Sequence, residues 1–361
     1  MSDLPQSDGA PEFSVASRLT RFAPTPTAVA VASTPASASQ PITPTTAVDL
    51  LSSPAAHFAP SSDAPLTARE GLRGLLGSIG IRLAPGAAEQ QRLDADSVLR
   101  RDEEVIRQAT WPRAVSVLVA NSKGGAGKTP VALLLGGTLA AVRGGSVCVL
   151  EVSDDPGALT FRSEGSPRLG LGELVAESAQ VRSAGQLAGY TAPQTSFASV
   201  IGSIGSRPPL THDAVVAVSS LVDEFYAIRV MDSGNQLSSP AFAGAVETAD
   251  ALVIPVLNAG DSVLEALALL DHLRAAGGRS ADLASRAIIL RIKDGRPEHP
   301  QVLERLDRVL EGSGVARVFD VPYDAHIAER GQLSLARLDR DTYRVFASAG
   351  AALVGLLRGQ A

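Results

Sequence analysis

The chain has 361 residues, 45% of them hydrophobic, with a formal net charge of -6, which allows one large α/β domain with appendages and has the wrong sign for a globally basic nucleic-acid coat. The single cysteine, Cys148, excludes an intrachain disulfide, a paired-cysteine metal site and a cysteine-held iron–sulfur cluster, and fits a reducing cytoplasm. The acidic, polar start MSDLPQSDGAPEF lacks the basic and apolar regions of an export signal, and apolar runs such as Ala251 to Val256 fall far short of the roughly 20 residues a bilayer span needs, so neither export nor a transmembrane segment is expected.

From Met1 to about Pro65 the sequence is dominated by Ala, Pro, Ser and Thr, with too little apolar content to offset the entropy of ordering, and a disordered tail is expected over 1–65. A helical linker is expected over 66–110. In it Leu72, Leu75, Leu76, Ile79 and Leu83 fall at helical spacing beside Arg69, Arg73 and Arg82, the pattern of a short amphipathic helix. Gly71, Gly74, Gly77 and Gly80 each cost such a helix about 1 kcal/mol relative to alanine, so it needs a surface to pack on; docking on its own domain is favoured over a membrane or partner. A second, more charged helix is expected from Asp94 to Gln108.

The folded domain is expected over 111–361. Val115 to Val119 reads as a strand, Pro130 to Val142 as a helix and Ser146 to Val152 as a second strand, a βαβ unit. Apolar runs at Ala227 to Met231, Leu252 to Val256, Ala287 to Leu290 and Val318 to Val321 then alternate with helical stretches such as Val263 to Ala276 and Pro300 to Leu310. That rhythm predicts a mostly parallel sheet with helices on both faces.

Between the first strand and its helix stands KGGAGKT, Lys123 to Thr129. Binding a triphosphate requires backbone N–H groups converging on the phosphates, and Gly124, Gly125 and Gly127, with Ala126 among them, let the chain curl that closely. Lys128 is placed to reach the β and γ phosphates, Thr129 to ligate Mg²⁺, and the helix that follows aims its N-terminus at the anion. Ser122 stands where the usual pattern has its first glycine. Pro130 removes one donor near the phosphates, which the first turn of a helix tolerates.

KGGAGKT resembles the signature of the ParA/MinD family of partitioning and positioning P-loop ATPases, in the variant that Lys123 defines. The resemblance covers roughly Trp111 to the C-terminus; the whole chain looks most similar to actinobacterial MinD/ParA-like proteins with a Pro/Ala-rich N-terminal extension, some of which accompany type VII secretion systems. It implies slow hydrolysis of ATP with Mg²⁺ and a homodimer formed on ATP, in which Lys123 reaches the partner's phosphates. Asp232, in VMDSGN, fits the acidic residue that holds the Mg²⁺ water shell at a strand end. In EVSDDPGAL, Glu151 to Leu159, the family's Asp-x-Asp-Pro segment is altered. If Glu151 matches the first aspartate, Ser153 takes the place of the water-orienting carboxylate; if Asp155-Pro156 is the anchor, Ser153 replaces the first aspartate. Asp155 is the first candidate and Asp154 the second, and impaired hydrolysis is a live expectation. VPYDAHIAERGQLSLARL resembles the family's C-terminal part, with Pro322 and Arg291 as candidates for the base side.

The resemblance leaves the cargo open. Non-specific DNA is one partner class, with Arg274, Arg279, Arg286, Arg291, Lys293 and Arg296 as a locally basic stretch. An unidentified protein partner is another, in the extreme a non-hydrolysing regulator of a secretion or other assembly. Membrane attachment is not expected, because the last segment, FASAGAALVGLLRGQA, reads as a core-packing helix.

Overall fold

Short runs of Val, Ile and Leu buried on both faces become parallel strands, and the longer stretches between them become the helices that cover the sheet. The computed structural model describes residues 86–358; the tail expected over 1–65 and the amphipathic helix expected between Leu66 and Leu83 lie outside them.

The first half of the described chain runs α1 (Ala87–Arg107), β1 (Val115–Val119), α2 (Lys128–Arg143), β2 (Val147–Val152), α3 (Leu159–Arg162), α4 (Leu171–Glu177), α5 (Ala184–Ala188), β3 (Ala192–Pro193), β4 (Ser199–Ile201), α6 (His212–Asp223) and β5 (Ile228–Ser233). The second half runs α7 (Pro240–Glu247), β6 (Ala251–Leu257), α8 (Gly260–Ala276), α9 (Gly278–Ser285), β7 (Ile288–Ile292), α10 (Pro300–Glu311), β8 (Arg317–Val321), α11 (Ala325–Ala328) and α12 (Arg340–Arg358). The strands form one sheet in the order β3-β4-β2-β5-β1-β6-β7-β8. Every pairing is parallel except β3 with β4.

β1 lies between β5 and β6, and strand order reverses around it, which in an open parallel sheet leaves a crevice beyond the strand C-termini. The register sets Val119 beside Asp232 and Asp232 beside Glu151, so β1, β5 and β2 deliver their last residues to that crevice. Alternation fixes the two cores: Val117 and Val119 pack with α1, α2 and α12, while Leu118 packs on the opposite face with α6 through α10.

The stretch expected as a linker ends in a helix packed on the domain. α1 starts at Ala87, earlier than the expected Asp94. Ile106 and Ala109 are fully buried, and Arg143 donates to their carbonyls at 2.9 and 2.8 Å while its guanidinium lies 5.2 Å from the Trp111 ring centre. Asp96 pairs with Arg340 and Arg344 at 2.8 and 2.7 Å, and Tyr343 donates to Glu103 at 3.0 Å. α12 buries Phe346, Leu353, Val354 and Leu357, the core-packing role expected of it. Among the described residues no helix is long and apolar enough to cross a membrane.

Candidate nucleotide site

The loop after β1 is shaped by its own residues. Gly127 has φ +97°, a conformation that favours glycine, and a Cβ there would lie 2.7 Å from Ile292 Cδ1, so that the Ile292 side chain would have to shift. Asn121, fully buried, braces the loop: its Nδ2 donates to the Pro255 carbonyl at 2.8 Å and its Oδ1 accepts from the Lys123 N–H at 2.9 Å. α2 then opens on Lys128 and Thr129, whose N–H groups have no intrahelical partner and are free for an anion.

Thr129 Oγ1 donates to Asp232 Oδ2 at 2.7 Å. Asp232 is 4% exposed, and its Oδ1 is buried with no hydrogen-bond partner among the described residues. Burial pushes its pKa up to about 7; the Thr129 hydroxyl opposes that, Glu151 adds to it and Lys128 opposes it. Lys128 is buried too, and its Nζ donates to the Lys123 carbonyl at 3.2 Å and to Asn235 Oδ1. Burial lowers the Lys128 pKa and the Asp232 charge raises it. A cation whose partners are mainly neutral and an acid with a spare oxygen stand side by side, an arrangement that a phosphate and a divalent cation would complete.

The segment after β2 is held from within. Glu151, 1% exposed, accepts from Arg207 Nη2 at 2.9 Å, the Gly157 N–H at 3.1 Å, the Ser203 N–H at 3.3 Å and the Ser203 hydroxyl. Arg207 also donates to the carbonyls of Ser153 at 2.8 Å, Asp154 at 2.6 Å and Asp155 at 3.2 Å. One guanidinium therefore fixes both the buried acid and the backbone of the altered Asp-x-Asp-Pro segment. Glu151 is spent on this network, and Ser153 donates to the Asp155 carbonyl at 2.6 Å. Asp154 stands over the loop after β5, where a Cβ at Gly234 would lie 2.6 Å from its Oδ1. Asp155 is exposed.

A cavity of about 620 Å³ joins these parts. Of the residues expected from sequence, Gly125, Gly127, Lys128, Thr129, Pro130, Asp154, Asp155 and Asp232 line it. Lys123, Gly124, Ala126, Arg291 and Pro322 are not among its lining residues. Lys123 turns outward and pairs with Asp261 at 2.6 Å. Arg291 is occupied by Asp307 and Asp320. The far wall is built instead from Ile292 to Asp294, Arg296, Asp324, Ile327, Ala328 and Arg330. Asn121 and Arg207 also escaped the sequence reading, because no local pattern marks them, and Asn235 entered it only as the last residue of VMDSGN.

Solved structures that share this architecture include two from the ParA/MinD family. A ParA family ATPase from Chlorobium tepidum is 16% identical and matches with a TM-score of 0.55 over 66% of this chain and 98% of its own. The MinD cell division protein of Aquifex aeolicus is 15% identical and matches at 0.50 over 67% and 97%. This chain has the ParA/MinD fold. No family model matches the sequence. Among curated proteins, the ESX-1 secretion-associated protein EspI of Mycobacterium tuberculosis is 28% identical over 267 residues, 72% of this chain. The chain spans 38% of the length of that relative. The buried lysine that follows the β1 loop and the Asp232 oxygen at the end of β5 face the same cavity.

Proposed function

We propose that this chain is an ATP- and Mg²⁺-binding switch in the cytoplasm that forms a homodimer on ATP and resets by slow hydrolysis. The observation that carries the reading is Asp232: one oxygen held at 2.7 Å by Thr129, the other buried without a partner, at the edge of the cavity that Lys128 lines. Lys128 with the glycine backbone would hold the β and γ phosphates, and Thr129 with Asp232 would hold Mg²⁺. Bound Mg²⁺ supplies charge neutralisation at the phosphate oxygens. Asp154, held over Gly234 by the Arg207 network, is the carboxylate in place to orient a water, with Asp155 farther into solvent. Lys123 is not among the residues that line the cavity and, among the described residues, its ammonium pairs with the exposed Asp261, as a lysine that serves a second subunit would.

The partner cycled by this switch is a protein rather than DNA. The basic stretch around β7 is spent within the chain: Arg274 on the Ser313 carbonyl and Asp271, Arg279 on Asp250, Arg291 on Asp307 and Asp320, Arg296 on Asp294. The likeness to EspI agrees with a partner in a secretion assembly. Sedimentation of wild type and Lys123→Ala with Mg²⁺ and ATP tests the switch; a dimer in wild type lost in the variant is expected, and a dimer unchanged in the variant would remove the trans role of Lys123.

A second reading has one observation in its favour. The Arg207 clamp ties the segment at 153–157 to the buried Glu151 through bonds within the chain itself, as in a protein that binds ATP and does not turn it over. Phosphate release separates the two: turnover abolished by Asp232→Ala supports the ATPase, tight binding with no turnover the regulator.

A further inference from the structure

Two arginines on the cavity wall have no role in the P-loop chemistry. Arg162, in α3, is 9% exposed and lines the cavity. Among the described residues its Nε is buried with no partner, and the one polar contact of its guanidinium is a 3.5 Å approach of Nη2 to the Ile327 carbonyl. Arginine carries five donors in a rigid fork, and a buried guanidinium is normally paired with an acid. Here no carboxylate meets it among the described residues.

Arg330 lines the same cavity. Its backbone lies at φ 56°, in the left-handed region that arginine rarely adopts. The conformation is held by the Arg330 N–H donating to the Ile327 carbonyl at 3.4 Å, while Leu333 N–H donates to the Arg162 carbonyl at 2.8 Å and ties this segment to α3. The Arg330 side chain has no partner among the described residues. Two cations share one wall, and both burial and the Arg330 charge push the Arg162 pKa down. The other arginine and lysine on the far wall are compensated: Arg296 by Asp294 at 3.1 Å and Lys293 by Glu298 at 4.0 Å. Asp324, the nearest acid in sequence, accepts from the backbone N–H groups of His326 and Asp339 at 2.9 Å each.

We propose that Arg162 and Arg330 form a second anion subsite of this cavity, one that grips a phosphate group independently of Lys128. The inference rests on the cavity being a nucleotide site. A phosphate ester is the ligand class because its oxygens match the guanidinium fork in geometry and cancel the charge of both arginines at once. The phosphate comes either from the nucleotide itself, its innermost phosphate, or from a separate phosphate ion; the chemistry at the arginines is the same.

Calorimetric titration of adenosine, AMP and inorganic phosphate into wild type, Lys128→Ala, Arg330→Gln and the double variant Arg162→Gln/Arg330→Gln tests this. Arg330 is exposed, so its single variant keeps the fold and shows a partial effect even where the double variant is unstable. AMP is expected to bind wild type and Lys128→Ala about tenfold or more tighter than adenosine, with the preference reduced in Arg330→Gln and lost in the double variant. Phosphate binding to wild type and Lys128→Ala but not to the arginine variants, with AMP and adenosine equal, supports the subsite with a free ion as its occupant. Phosphate binding of that kind with no adenosine compound bound at all would sink the nucleotide reading and leave the subsite standing. Arginine variants that bind AMP and phosphate as wild type does would overturn the proposal.

Discussion

Asp232 spends one carboxylate oxygen on Thr129 and keeps the other buried and unpartnered, a cost that a native fold carries where a ligand repays it. Removing the carboxylate should therefore remove the benefit of Mg²⁺. In Asp232→Ala the gain in ATP affinity on adding Mg²⁺ is predicted to shrink by roughly tenfold or more, measured by titration with and without the metal. A second acid shows the opposite electrostatics. Asp250, 5% exposed, accepts both prongs of Arg113 at 2.8 Å, the Ser116 N–H at 3.0 Å and Arg279 at 3.1 Å. Burial pulls its pKa up, but Arg113, Ser116 and Arg279 together hold it below the ordinary carboxylate value. With the native pKa below the unfolded one, the unfolded chain takes the proton first; the stabilisation is complete above the unfolded pKa and fades as pH falls through the native one. Asp250→Asn should cost roughly 1–3 kcal/mol at neutral pH in urea melts and flatten the loss of stability below about pH 4. Lys128, Thr129 and Asp232 were legible in sequence because the first two are contiguous with the glycines and the third ends an apolar run. Arg162, Arg207 and Arg330 were not, because their meaning depends on which charges the fold leaves near them.

The element that most changes the expectation is the segment after β2. Its irregular sequence offers two alignments, and the structure shows why local pattern could not choose: Arg207, from the loop before α6, grips Glu151 and three consecutive carbonyls at once. The side chains of Arg207 and Glu151 are 3% and 1% exposed, so breaking the pair strands a buried charge. Arg207→Met alone should destabilise by about 3–5 kcal/mol, and adding Glu151→Gln should recover a large part of that; a chemical-denaturation cycle reads the coupling. Hydrogen exchange at 153–157 should speed up in the single variant. α1 is the other surprise. A charged helix was expected over Asp94 to Gln108, and the charges are there, but its end plugs the core through Ile106, fully buried against α2 and α12. Ile106→Ala should cost about 2–4 kcal/mol, measured by thermal or urea melts.

At the scale of the molecule, the alternation of apolar runs with helical stretches was enough to specify a mostly parallel sheet with helices on both faces, and most strands lie within a residue or two of their expected places. The order β3-β4-β2-β5-β1-β6-β7-β8 was not legible, since strand pairing joins segments far apart in sequence. That order is what makes the site: it puts β1 between β5 and β6 and so sets Thr129 against Asp232. The ParA/MinD fold, the 620 Å³ cavity and the Asp232 oxygen left unpartnered among the described residues support the proposal that this chain binds ATP with Mg²⁺ at the loop after β1. Calorimetric titration of ATP with Mg²⁺ into wild type and Lys128→Ala tests it most directly. The prediction is one ATP per chain, dependent on Mg²⁺ and weakened roughly 10- to 100-fold by a Lys128→Ala substitution that leaves the melting transition intact; wild type that binds no ATP, or a folded Lys128→Ala that binds it equally well, would contradict the account.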